Sequence, residues 1–305
     1  MRYQRIDLNL LIALDALLAE RSVTRAAERM HMTQSAMSGV LARLREYFDD
    51  QLLVPVGRAM HLTPRAESMI QPVRDIILKV DSTLGVRPEF DPATAQRHFV
   101  VIASDYVSNV LLAEVLRKVA QVAPGLSFDV RPTHTGMAQE LDQGRADFLV
   151  TPAHLTLPDH PQMVLFDDSY KVIACAQHPQ LRDGLTLDDY QSLGHVVYQN
   201  EQGANPWFEQ WYANQHGNTR RVEVVTHGFV LMPRFIVGTR RIATVQTRLA
   251  IQFEQAMPVR LYEPPMETPR LTEVLQWHRY REDDPGVQWM RAQILAVAQS
   301  LPAIS

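Results

Sequence analysis

The sequence predicts an α/β protein that carries a small all-α domain at its N terminus. Three observations predict it. Residues 7–48 hold three amphipathic stretches, each opened by a side chain able to cap a helix. A run of apolar residues then recurs at helical spacing from Ala66 to Leu84. From about residue 97 the pattern changes to short β-rich runs separated by amphipathic stretches. That alternation implies an α/β region with largely parallel sheets.

Each element follows from its residues. Asp7 caps a helix that turns Leu10, Leu11, Leu14, Leu17 and Leu18 inward. Ser22 caps a second helix with Ala26, Ala27 and Met30 on one face, and His31-Met32-Thr33 breaks it. Thr33 caps a third, in which Ala36, Met37, Val40, Leu41, Leu44 and Phe48 recur. Residues 49–64, DDQLLVPVGRAMHLTP, read as a hairpin with Gly57 and Arg58 at its tip, the shape of a wing. Thr63-Pro64 opens a long helix, a cap followed by proline at the first helical position. Ala66, Ile70, Val73, Ile77, Val80 and Leu84 then form a heptad seam, which suggests pairing of two chains. Pro72 should kink that helix, Gly85 ends it, and VRPEFDP reads as a hinge. The runs HFVVIAS, LSFDVRP, DFLVTP, YKVIACA, HVVYQ, RRVEVV, RIATVQ and VRLYEP read as strands. VSNVLLAEVLRKVAQV and NPWFEQWYANQ read as helices between them.

Composition sets limits. The chain has 305 residues, 46% hydrophobic and 21% charged, as expected of a packed protein with two or three domains. A single cysteine, Cys175, rules out an internal disulfide and fits a reducing cytoplasm. No signal peptide and no membrane span is read in the sequence. Net charge is −4. Residues 1–90 carry 12 Lys and Arg against 11 Asp and Glu, and the remainder 18 against 23. The first part is less acidic but not strongly basic, so a nucleic-acid role must rest on pattern rather than on bulk charge.

The pattern is in residues 22–48. Two helices joined by a tight turn can lay the second in the major groove, which is about 12 Å wide. Ala26 and Ala27 are small enough for close approach, and Met37 and Val40 bury the inner face of the second helix. Its outer face offers Gln34, Ser35, Ser38, Gly39 and Arg43, short polar side chains and a cation suited to base edges. The Ser22 and Thr33 hydroxyls and the amides at the helix start suit phosphate oxygens. Arg58 at the wing tip can reach a minor groove or a phosphate.

On these residues the chain resembles the LysR-type transcriptional regulators over its whole length. Residues 6–50, the junction HLTPRAESM and the C-terminal WHRYREDDPGVQWMR resemble most closely the branch of nodulation-protein-D and naphthalene/salicylate regulators. Ser35 stands where many members have proline, Gly39 where many have arginine, and Leu53 and Pro55 fall in the usual Leu-Phe-x-Arg stretch. DNA contact carries over from the family to Gln34, Ser38 and Arg58; Arg43 rests on the helical face alone.

The resemblance implies a winged helix-turn-helix over residues 1–63, a linker helix over 64–86 and an effector domain over 87–305. The effector domain would comprise two periplasmic-binding-protein-like subdomains, about 91–165 plus 268–305 and about 166–267, joined by crossover strands near Phe166 and Glu267. A small aromatic inducer, a phenol or chlorinated phenol, would sit in the cleft. The partners implied are double-stranded promoter DNA, a second chain paired through the linker helix, a tetramer of two such dimers, and RNA polymerase. No cofactor is implied. The protein would act in the cytoplasm, associated with the nucleoid, as an activator of an aromatic-catabolic operon; a flavonoid-responsive regulator or a repressor is the alternative.

Ligands in open α/β sheets bind beyond strand C-termini. The candidates there are Ser104-Asp105-Tyr106, Thr151, Tyr198-Gln199 and His227 with Phe229. Each has a plainer reading: Asp105 as a helix cap, Tyr106 and Phe229 as packing, His227 as a hydrogen-bonded histidine. An ionised Asp105 in the cleft would repel a carboxylate and favour a phenol.

Nothing points to an enzyme. Cys175 lies in an apolar strand, and His154 and His160 lack metal-ligand spacing. No nucleophile elbow, phosphate loop or dinucleotide fingerprint is present. Asp167-Asp168 and Asp283-Asp284 read as caps or loop decoration, and Trp277 and His278 as packing on the last strand.

Overall fold

The computed structural model describes residues 7–57, 59–84, 90–181, 184–199, 207–217 and 220–304. Arg58, Gly85 and most of the VRPEFDP segment lie outside the described residues. The chain divides into two compact units, one of residues 1–88 with 142–144 and one of the rest.

In the first unit three helices form a small core. Helix α1 (Leu8–Glu20) starts where the Asp7 carboxylate accepts the Leu10 amide at 2.8 Å. Helix α2 (Val23–Arg29) is capped by Ser22, and α3 (Gln34–Phe48) by Thr33, whose hydroxyl accepts from Ala36 at 3.2 Å. Leu14, Leu17, Ala26, Ala27, Met37 and Leu44 are all buried in one cluster. Ala36, expected on the inner face, is exposed. It lies on the solvent side of the first turn of α3, while its neighbour Met37 is fully buried.

Strands β1 (Leu53–Val56) and β2 (Ala59–Leu62) pair antiparallel with Val56 opposite Ala59. Gly57 turns the tip at φ +63°, a conformation that favours glycine. Arg45 fastens α3 to this hairpin, donating to the Gln51 and Leu53 carbonyls at 2.8 Å each.

Helix α4 (Pro64–Leu84) runs through Pro72. The first part of its apolar seam turns inside the chain: Ala66, Val73 and Ile77 are buried in the α1–α3 cluster. Ile76 and Leu84 are exposed. Arg74 donates to Asp15 at 2.8 Å and anchors α4 to α1.

The second unit contains two five-stranded sheets. The chain runs through β3 (Arg97–Ile102), a continuous helical segment comprising α5 (Asp105–Val107), a π turn (Ser108–Leu112) and α6 (Ala113–Val122), then β4 (Leu126–Arg131), α7 (Met137–Asp142), β5 (Phe148–Pro152) and β6 (Gln162–Asp168). It continues with β7 (Tyr170–Cys175), α8 (Leu187–Ser192), β8 (Gly194–Tyr198), α9 (Trp207–His216), β9 (Arg221–Thr226), β10 (Arg241–Gln246), α10 (Thr247–Ala256), β11 (Val259–Tyr262), β12 (Leu271–Trp277) and α11 (Pro285–Gln299). The sheet orders are β4-β3-β5-β12-β6 and β11-β7-β10-β8-β9.

All eight expected strands form, but the sheets are less parallel than their alternation suggests. In each, four strands run in one direction and one, β12 or β7, runs against its two neighbours. The reversed strands, β7 and β12, are those the chain enters at each crossing. The chain leaves β6 of one sheet and enters β7 of the other through Ser169 alone, then returns between β11 and β12. Asp167-Asp168 are therefore not loop decoration: they end β6, and Asp168 is buried at the first crossing. Asp284 caps α11 as its position suggests, accepting from Gly286 and Val287. Cys175 is buried and accepts the Gly238 amide at 3.3 Å.

One small clamp joins α3, the wing and α4. The Asp50 carboxylate accepts from the Thr63 hydroxyl at 2.6 Å and from Leu52 N–H at 2.7 Å, while Thr63 caps α4 through Ala66 N–H at 3.1 Å. The Thr63 bond, with the Leu52 amide next, holds the Asp50 carboxyl below its ordinary range. Its stabilisation is thus present above the ordinary carboxylate pKa and lost as pH falls through the lowered one. Thr63→Val should destabilise the first unit by about 1–2 kcal/mol, the usual cost of a lost cap, and flatten the acid limb of its stability profile; denaturant titration against pH measures both.

Candidate functional site

Two features of the fold carry chemistry, one in each unit.

In the first unit, Gln34, Ser35, Ser38, Gly39, Ala42 and Arg43 are all exposed on one side of α3, opposite buried Met37, Val40, Leu41 and Leu44. The expected reading face is therefore assembled at spacings of 3 and 4. The Thr33 hydroxyl also lies 3.1 Å from the Ser35 hydroxyl, so both sit at the helix N-terminus, where unpaired amides favour a phosphate. Nothing lies within 4 Å of a Cβ built on Gly39, so the surface there is flat and open. Ser22 is the cap of α2. The neighbouring cations are held within the fold: Arg25 lies 3.5 Å from Glu20, and Arg29 bridges Asp15 and Glu20. Arg43 is an exposed cation on this face. Arg58 lies outside the described residues.

In the second unit a cavity of about 300 Å³ opens beyond the strand ends. Its walls come from both sheets. Ser104 and Tyr106 follow β3, Thr133 to Thr135 follow β4, and Thr151 and Pro152 end β5. From the other sheet come Tyr170 at the start of β7, Tyr198 at the end of β8 and Gln246 at the end of β10; Trp207, Gln210 and Phe229 close the same side. Leu271 and Glu273, at the start of β12, complete the lining.

Aromatic rings make up much of the wall. Tyr198 stacks on Phe229 with centroids 4.0 Å apart and planes 10° from parallel. Trp207 lies on His154 at 4.3 Å. Several of the polar groups are buried. The Ser104 hydroxyl accepts from Val107 N–H at 3.1 Å, which fixes it as the cap of α5. The Tyr106 hydroxyl donates to Asp168 at 2.5 Å. Three buried atoms, Thr151 Oγ1, Gln246 Oε1 and Glu273 Oε2, have no hydrogen-bond partner among the described residues. An unpaired buried polar atom costs about 1–3 kcal/mol, so a ligand that pairs all three binds with that cost relieved.

Charge in the cavity is set by burial. Burial, then the neighbouring Asp168, pushes the Glu273 carboxyl up to about 8. Burial also raises Asp168 and the Tyr106 and Tyr170 phenols.

Of the residues selected from strand ends, Ser104, Tyr106, Thr151, Tyr198 and Phe229 line one cavity together. Asp105, Gln199 and His227 do not line it. Asp105 is turned from the cavity because its carboxylate accepts the Val230 amide at 2.9 Å and that of Tyr106 at 3.0 Å. Its burial raises the carboxyl against those bonds. His227 is exposed, with Nδ1 2.8 Å from the Gln199 carbonyl oxygen. The strand-end search passed over Tyr170, Gln246 and Glu273. Gln246 closes RIATVQ by the same rule that selected Tyr198. Glu273 also had a signal: an acid among Leu271, Leu275 and Trp277 on the apolar face of one strand.

The comparisons with known proteins agree with this geometry. Residues 8–67 match the family described as bacterial regulatory helix-turn-helix protein, lysR family, and residues 92–299 match the LysR substrate binding domain. Nodulation protein D of Bradyrhizobium sp. (strain ANU 289) is 40% identical over 99% of this chain and 89% of its own length. Nodulation protein D 2 of Rhizobium tropici is 40% identical over 98% of this chain and 95% of its own. The crystal structure of a probable transcriptional regulator from Pseudomonas aeruginosa superposes with a TM-score of 0.64 at 26% identity, covering 97% of this chain and 98% of that one. A helix-turn-helix with its polar face free, joined to a two-sheet unit with a ligand-sized cavity, thus has relatives along its whole length, and the chain belongs to the LysR family of DNA-binding transcriptional regulators.

Proposed function

We propose that this regulator acts in the bacterial cytoplasm as a promoter-bound activator whose state is set by a small hydroxylated aromatic compound in the cavity of its second unit. The observation that carries the inducer class is the lining: stacked Tyr198 and Phe229, with Tyr170 and Trp207, around three buried polar atoms that lack partners. Such walls favour a planar apolar body, and the polar atoms favour hydroxyl and carbonyl substituents. A volume of about 300 Å³ lies at the small end of ligand pockets.

Within that class two readings have support. Similarity to nodulation protein D along nearly the whole chain favours a flavonoid-type inducer. The small volume favours a single-ring phenol, with a catabolic operon as the target. A panel containing both classes, tested by gel shift and footprint on the DNA upstream of the gene and by a promoter reporter, separates them by which compound changes the footprint and raises transcription.

On the DNA side, Gln34, Ser38 and Arg43 would read or approach bases while the Ser22 and Thr33 hydroxyls, Ser35 and Arg58 position the phosphates. Two chains would pair along α4 through Ile76, Val80 and Leu84, since Ala66, Val73 and Ile77 are taken up inside the chain. Pairs of such dimers would form the tetramer and present reading helices to successive turns of a partly palindromic site, beside RNA polymerase. Effector and DNA affinities are then reciprocally coupled.

Gln34→Ala should weaken specific binding by about 1–3 kcal/mol and relax preference at one base pair, measured by titration on a set of single-base operator variants. Unchanged preference removes Gln34 from base reading. Phe229→Ala, which unstacks Tyr198, should raise the inducer concentration for half-maximal response by about tenfold or more, the effect of losing roughly 1.4 kcal/mol or more, with DNA affinity in its absence unchanged. Equal dose–response curves would place the effector elsewhere.

A further inference from the structure

We propose that Glu273 fixes the charge class of the effector: its buried acid group donates a hydrogen bond to an uncharged acceptor oxygen of the ligand, and the cavity turns carboxylates away. The proposal rests on the cavity being the effector site and names the ligand chemistry that site takes.

The geometry points there from several sides. Glu273 is 2% exposed, lines the cavity, and its Oε2 has no partner. None of the described lining residues is Lys or Arg, and the histidine among them, His134, lies 3.7 Å from Glu140. A second carboxyl, Asp168, is close enough to act on Glu273 electrostatically. The two differ in what surrounds them. Asp168 accepts from the Tyr106 hydroxyl at 2.5 Å, from Ser169 N–H at 2.7 Å and from Arg248 N–H at 3.4 Å. Donors of this kind hold a charge. Glu273 Oε2 has none, and an uncompensated charge in an apolar cavity is strongly disfavoured. Asp168 therefore keeps the negative charge of the pair and Glu273 keeps the proton. Burial and Asp168 together raise the Glu273 carboxyl to about 8, in the same direction as the geometry.

A neutral acid at the cavity wall has one O–H to give. The other two unpaired atoms, Gln246 Oε1 and Thr151 Oγ1, can both accept. The complementary ligand therefore carries a carbonyl or ether oxygen opposite Glu273 and a hydroxyl toward Gln246 and Thr151, on a planar frame between the rings. A carboxylate ligand opposite Glu273 would meet the field of Asp168 with no Lys or Arg among the described lining residues to pair with it.

The proposal has a pH signature. Below about 8 Glu273 is protonated and can donate. As pH rises through that value the donor is lost, and affinity for a neutral ligand falls by up to about tenfold per pH unit. The other titratable groups that interact with Glu273 are Asp168 from β6, Tyr106 from α5 and Tyr170 from β7; Arg248 from α10 acts on Asp168 and Tyr106, and the cavity also contains His134. Asp168 is already the anion of the pair. Burial holds both phenols above their ordinary values, so neither ionises in this window.

The test uses the full-length protein and two matched probes, 4-(hydroxymethyl)acetophenone and 4-(hydroxymethyl)benzoate. They differ at one end in charge, and neither changes charge between neutral and mildly alkaline pH. Calorimetry or tryptophan fluorescence gives their affinities from pH about 6.5 to about 9.5, a range spanning the titration. The expected result is a preference of about tenfold or more for the ketone at neutral pH, declining above pH about 8. Glu273→Gln, which keeps a neutral donor, should bind the ketone about as well and without that decline; a decline common to both proteins belongs to His134 or another group and overturns the proposal. Equal or tighter binding of the benzoate to wild-type protein also overturns it, while sensitivity of that binding to Phe229→Ala leaves the cavity as the effector site. Binding of neither probe up to millimolar concentration, or binding indifferent to Phe229→Ala, overturns the cavity reading and the role of Glu273 with it.

Discussion

Asp168 stands where the two sheets of the second unit are joined, and the arrangement around it depends on how its charge is held. Only Ser169 separates the last residue of β6 from the first of β7. The carboxylate collects donors from both sides of the crossing: the Tyr106 hydroxyl from one sheet's helix, and the Ser169 and Arg248 amides from the other side. The Ser169 and Thr247 hydroxyls lie 2.8 Å apart, and the Thr247 amide donates to the Ser169 carbonyl, so α10 is tied to the same point. A carboxylate so buried is tolerated only because its donors are fixed in place.

The cavity follows from that crossing. Because the chain changes sheets at β6–β7 and again between β11 and β12, strand ends of both sheets face a common space. Tyr106 cannot serve as an adaptable ligand group while its hydroxyl is committed to Asp168. Instead it forms part of a fixed wall, edge-on to Phe166 at 6.4 Å. Asp105, one residue earlier, spans to the Val230 amide at the start of the helical turn that carries Phe229. A Cβ on Gly228 would lie 3.2 Å from that carboxylate, so a small residue there suits the contact. These bonds give the cavity two kinds of polar group: those engaged in joining the two sheets, and the unpaired atoms left to a ligand.

The first unit works on a simpler constraint. A helix that reads DNA must present its polar face at a fixed angle, and α3 is held at both ends. Thr33 sets its start, and Arg45 and the Asp50–Thr63 clamp fix its end to the hairpin and to α4. The exposed face of α3 carries mostly short polar side chains, with Gly39 among them.

The sequence by itself determined the elements and the polar face of α3. Caps, helical spacing and small residues act over a few positions, so Asp7, Ser22, Thr33 and Thr63 could be assigned from neighbours alone. Its β-rich runs also marked eight of the ten strands described in the second unit, all but β6 and β12, and the strand-end rule found five of the cavity's residues. What it could not determine were relations between positions far apart in the chain. The antiparallel strands arise from the crossings, which no local pattern marks. Ala66, Val73 and Ile77 carry the same spacing whether they meet a second chain or α1, and only packing decided for α1. Glu273 was visible as an acid on an apolar strand face, but its state depends on Asp168, 105 positions away, having taken the available donors. Hydrogen bonds and burial are properties of assembled neighbours, so tertiary structure decided which carboxyl keeps a charge and which keeps a proton.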